Sequence, residues 1–111
     1  MTRRPSKVRL SFADIRVVTL AEMPEGFENA RATYDQDNKL IEVVRAAARG
    51  PEGASLILHE LVHAMLGMDG LDDRLGAKLE EDVAVSLGHQ LAELIRRNPG
   101  LIAWLQQELK R

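Results

Sequence analysis

The chain has 111 residues, of which 45% are apolar and 29% charged, with a formal net charge of −2. That balance suits one globular domain over residues 1–111 with a modest core, and gives no overall case for nucleic-acid binding. Cysteine is absent, which excludes disulfides and thiolate metal sites and leaves any metal to His, Asp or Glu.

The opening residues, "MTRRPSKVR", are locally basic and are expected to form a solvated arm over residues 1–10. Residues 6–13 are ambiguous between a strand and a short helix. "DIRVVTL" (14–20) is rich in β-branched residues and predicts a strand. "EMPEGFEN" (22–29) is expected as a loop. "ARATYD" (30–35) and "KLIEVVR" (39–45) flank the turn-forming "QDN" and predict a hairpin. The second of these is the expected sheet edge, because it lies nearest in sequence to the helices.

The signals turn helical after "RGPEG" (49–53). A first helix is predicted from about Ala54 to Leu66, stopping near Gly67. "GMDGLDD" (67–73) is expected as a loop. A second helix is predicted from about Leu75 to Arg97, with Leu79, Val83, Leu87, Leu91, Leu94 and Ile95 at the helical period. "NPG" (98–100) ends it, because proline cannot continue the ladder. A short last helix, "LIAWLQQELK", is expected to pack Leu101, Ile102, Leu105 and Trp104 back onto the domain. The predicted fold class is α+β, a small N-terminal sheet followed by helices. No apolar run approaches the ~18 residues that span a bilayer. The N-terminus lacks the apolar core of a signal peptide, so the expected location is the cytoplasm.

The first helix carries His59-Glu60-x-x-His63 inside "LILHELVHAML" (56–66). Residues four apart share a helix face, so His59 and His63 can offer two imidazole nitrogens to one ion. Glu60 lies about 100° round the helix. It is poorly placed as a third ligand but well placed to reach a water on that ion. Two histidines that hold a metal, with a glutamate that takes a proton from the attacking water, are the parts of a hydrolytic zinc site. Two histidines and a glutamate buried without such a partner would be costly to desolvate.

A catalytic zinc site usually has a third protein ligand. Asp69 lies six residues after His63, the metzincin distance, but Leu66 stands where that pattern needs a glycine. His89 is a lone helical histidine, more often a surface residue than a ligand. Glu80 and Glu81 open "EEDVAVSLGHQL" on the second helix. Glu81 shares a face with the small residues Ala84 and Gly88, which allow close helix approach, and it is favoured over Glu80. The other glutamate and Asp82 are expected to be solvated acids near the positive end of the helix dipole.

Together "ATYDQDNKLIEVV", "LILHELVHAML" and "EEDVAVSLGHQLAELIRRNPGLIAWL" resemble small phage and prophage metallopeptidase-like proteins, distant relatives of the ImmA/IrrE group. The resemblance covers roughly residues 14–105. It implies a minimal, gluzincin-like zincin domain with His59, His63 and Glu81 on Zn2+ and Glu60 as general base. Two departures stand out. The chain has no room for the DNA-binding domain or C-terminal extension that relatives often carry. Val85 also stands where they tend to have asparagine. Repressor cleavage therefore does not carry over.

The expected activity is zinc-dependent hydrolysis of a peptide or protein substrate, with no nucleic-acid or membrane partner. Tyr34, on the hairpin, could stabilise an oxyanion, although packing on the sheet is the commoner role for such a tyrosine. An alternative is a zinc-stabilised protein-binding module with little turnover. A third reading, a helical domain with an accidental motif, predicts no zinc and leaves Trp104 and the tail as a dimer surface or as part of the core.

Overall fold

The computed structural model describes residues 3–111. Four strands come first: β1 Lys7–Leu10, β2 Ala13–Leu20, β3 Ala32–Asp35 and β4 Leu40–Val44. Three helices follow: α1 Gly50–Met68, α2 Leu71–Arg97 and α3 Pro99–Leu109. The α+β expectation is met. The sheet is mixed, in the order β1-β2-β4-β3, with β2 and β4 parallel and both outer pairs antiparallel.

Residues 7–10 are not a solvated arm. The alternation Lys-Val-Arg-Leu turns Val8 and Leu10 toward the core and leaves Lys7 and Arg9 outside, the pattern of a half-buried strand. Arg9 reaches across the hairpin to Asp14 at 3.3 Å. Met1 and Thr2, the start of the expected arm, lie outside the described residues.

The predicted β3–β4 hairpin is present. Asp35 accepts hydrogen bonds from the backbone N–H and side-chain amide of Asn38, which shapes the turn. Its position in the sheet corrects an expectation. β4 is interior, with β2 paired along one side and β3 along the other, and the edges are β3 and β1. The apolar, β-branched Leu40–Val44 suits a strand covered on both flanks, whereas "ATYD" does not demand it.

α1 lies on the sheet. Leu61 and Ala64 join Ile15, Val17 and Ile41 in the core, with Ile57, Leu58 and Met68 packed around them. The helix starts earlier than predicted, because Pro51 falls in its first turn, where a missing N–H costs nothing. Gly53 is required there. A Cβ on it would come within 2.5 Å of the Ala48 carbonyl group.

The expected 67–73 loop shrinks to a turn at Asp69 and Gly70, with Gly70 left-handed (φ 72°). α2 breaks at Gly76 (φ 80°, ψ 161°), so the long helix runs on from about residue 77. Its packed face is not the apolar stripe read from the sequence. Ala84 and Gly88 are the buried positions. Leu79, Leu87, Leu94 and Ile95 remain exposed, Leu79 at 54%.

The tail packs back only in part: Ile102 and Leu105 are half-buried, while Leu101 and Trp104 stay exposed. α3 has no buried residue, and Trp104 is 56% exposed. Asn98, in a non-helical conformation (φ −132°, ψ 59°), and Pro99 redirect the chain so that α3 meets chiefly the end of α2. No helix among the described residues is long and apolar enough to cross a membrane.

Candidate metal centre

The apolar stretch around His59 has a structural reason. α1 is covered by the sheet on one side and by α2 on another, so most of its faces need apolar residues. The face turned to α2 carries His59 and His63. α2 comes close because Gly88 has no side chain: a Cβ there would stand 3.0 Å from His59 Cα. The small-residue face inferred from the sequence is therefore the real contact.

The side chains converge across this contact. The ligand atoms of His59, Glu60 and His63 all lie within 4.8 Å of one another, a group that could hold a metal ion. Glu60 is thus nearer to both imidazoles than its position round the helix implied. Glu81 Oε1 lies 3.1 Å from His59 Nε2 and 2.8 Å from His63 Nε2. Both Nε2 atoms point at one carboxylate oxygen.

Glu80 is not a solvated acid. Its Oε2 accepts from His63 Nδ1 at 2.5 Å, and its side chain is only 21% exposed. Neighbouring residues on α2 thus grip the two nitrogens of one imidazole. A proton held on Nδ1 by Glu80 leaves the lone pair of neutral His63 on Nε2, facing the cluster. The expectation that one of the two glutamates is merely solvated fails, because residues 80 and 81 straddle the Ala84–Gly88 ridge and both reach α1. Asp82 does point away, toward Lys78 at 3.2 Å. Asp69 caps the end of α1, and His89 lies on the wall of a separate groove. Neither joins the cluster.

The electrostatics follow from burial and charge. Glu60 is 7% exposed. Desolvation pushes its pKa up to about 7; nearby His63 opposes this and Glu81 adds to it. Burial alone would lower the pKa of His63, but its hydrogen bonds to Glu80 and Glu81, with the charge of Glu60, outweigh burial and raise it. Carboxylates at both nitrogens favour the protonated ring, so a cation at Nε2 competes with a proton there.

Tyr34 takes the packing role. It lies against the core cluster, and its hydroxyl is buried with no hydrogen-bond partner. Desolvation, then the charge of Asp35, raises its pKa.

Compared with known proteins, the chain matches no family model, no curated protein and no solved structure. Its functional reading rests on these residues and their geometry.

Proposed function

We propose that the chain is a zinc-dependent metallopeptidase of minimal, gluzincin-like zincin build, related to the ImmA/IrrE group and belonging to a phage or mobile-element setting. The observation that carries this reading is the convergence of His59 Nε2, His63 Nε2 and Glu81 Oε1 on one point beside a buried Glu60. Two imidazoles and a carboxylate are a donor set that suits zinc. In this reading His59, His63 and Glu81 hold the ion. A zinc ion held there would supply Lewis acidity toward the scissile carbonyl and would lower the pKa of a water molecule.

The chain's own residues have separate tasks. Glu60, buried beside the two imidazoles, is placed to take a proton from the attacking water and pass it to the leaving amine. Glu80 orients the His63 ring through Nδ1. The apolar flank of α1 excludes competing water. β3, the sheet edge packed on α1, offers unpaired main-chain groups to an extended substrate.

Elemental analysis of the chain purified without a histidine tag tests the site. About one zinc per chain is expected, lost with His63→Ala and with Glu81→Ala. Glu60→Gln should keep the metal and abolish peptide cleavage. Cleavage that survives in that variant would remove Glu60 from the mechanism.

A second reading, a zinc-stabilised protein-binding module, is favoured by one observation: the apolar residues of α2 and α3 left on the surface. Zinc bound without turnover on any peptide pool would select it.

A further inference from the structure

Past the point where Gly88 meets His59, α1 and α2 wall a groove of about 1370 Å³. Its charge is one-sided. Arg3, Arg4, Arg45, Arg49 and Arg96 line it, against a single acid, Glu93. Glu93 is already engaged by Arg97 at 3.0 Å. Arg4 donates to Thr19 Oγ1 at 2.9 Å. Arg45, Arg49 and Arg96 are exposed and make no ion pair among the described residues. In a chain with a formal net charge of −2, five arginines from three separate parts of the sequence gather round one concavity. The first turn of α1, whose N-cap makes no side-chain hydrogen bond, opens onto the same wall and adds the positive end of a helix dipole.

The floor is aliphatic, made by Ile57 and Leu58 of α1 and Ala92 and Ile95 of α2. Among the described residues no Phe, Tyr or Trp lines the groove, and its one aromatic ring is the imidazole of His89. Single-stranded nucleic acid is held by stacking on aromatic faces. Duplex readers instead insert a projecting helix or ribbon into a groove of the DNA. A concave site with an aliphatic floor and an arginine rim matches neither. It matches a protein segment that presents apolar side chains to the floor and carboxylates to the guanidinium forks.

We infer that this groove is a docking site for an acidic, aliphatic-rich segment of another protein. Ser55, in the lining, lies one helical turn before His59, and Ala92 lies one turn after Gly88. None of His59, Glu60, His63, Glu80 and Glu81 lines the groove, so a docked segment would sit beside the metal cluster, outside the site of chemistry. The inference does not depend on turnover or on metal.

Displayed random peptides of about 16 residues, panned against the full chain, test it. Enriched peptides should carry several Asp or Glu beside Leu, Ile or Val. Measured by fluorescence anisotropy, their affinity should fall about tenfold or more in R45E/R96E and by a smaller factor in R96Q. It should be unchanged in K110E, which reverses a charge that does not line the groove. Zinc content should be the same in all of these variants, showing that the cluster has not been disturbed. Enrichment without acidic residues, or affinity indifferent to both arginine variants, would overturn the inference. So would tighter, arginine-dependent binding of a DNA oligonucleotide of about 20 nucleotides, which would assign the groove to nucleic acid. Peptides that bind as expected support the inference whether or not they are cut, because the groove lies outside the site of chemistry.

Discussion

Glu60 links burial to pH at the scale of a single residue. Its ordinary pKa of 4.5 rises to about 7 in the fold. Between those values the folded protein keeps a proton that the unfolded chain has released. The stabilisation is complete below about pH 4.5 and is lost as pH rises through about 7. For the metal-free chain the loss is on the order of 3 kcal/mol. The raised pKa of His63 acts in the same direction, since its stabilisation is also lost as pH rises. Thermal melts of the metal-free protein should show a lower Tm at pH 8 than at pH 5, with a clearly shallower fall in Glu60→Gln. A Tm that rises over that range would show that Glu60 is solvated. Tyr34 makes a second prediction at this scale. A buried hydroxyl without a partner costs free energy that phenylalanine does not. Tyr34→Phe should raise stability by about 1 kcal/mol and leave zinc content and cleavage unchanged. A loss of cleavage would return the oxyanion role to Tyr34. Glu80→Ala should weaken zinc about 10- to 100-fold, with partial recovery in Glu80→Gln, because the amide oxygen still accepts from Nδ1. Competition with a chelator measures both.

At the scale of the element, the contact between α1 and α2 decides whether a site exists. Its closest point is Gly88 on the backbone of His59. Gly88→Ala gains helix propensity but places a methyl group 3.0 Å from a backbone atom, and α2 must shift. A net loss of about 1–3 kcal/mol is expected, together with weaker zinc binding, because Glu80 and Glu81 move with the helix. Unaltered zinc affinity in that variant would show that the two helices adjust independently of the cluster. The helical period of the second helix and its small-residue contact face were legible in the sequence, but the exposure of its apolar stripe was not. Leu79, Leu87 and Leu94 carry the periodicity, while small Ala84 and Gly88 make the contact. The hydrophobic pattern identifies a helix with an apolar side. Which side meets a neighbour depends on how closely the backbones can approach, and that favours the residues with least bulk.

The whole molecule shows how a chain of this size distributes its apolar residues. Its core is small and lies between the sheet and α1, centred on Ile15, Val17, Ile41, Val43 and Val62. Ile41→Ala should cost about 2–5 kcal/mol. Leu87→Ser and Trp104→Ser, at positions 45% and 56% exposed, should each cost less than about 1 kcal/mol in denaturant titrations at low protein concentration. That ordering is the reverse of what residue size suggests for Trp104, and a large loss there would place α3 in the core.

The sequence by itself determined the α+β class, the β3–β4 hairpin, the helical register that puts His59 and His63 on one face, and the choice of Glu81 as an acid that faces them. These are local properties, set by side-chain periodicity, turn chemistry and proline. Only the tertiary structure decided that β4 is interior, that both glutamates reach the histidines, that Tyr34 lies against the core cluster with its hydroxyl buried, that Trp104 stays on the surface, and that five distant arginines share one groove. Each of those depends on which surfaces meet, and that is set by pairing and packing between segments far apart in the chain, which no local pattern encodes.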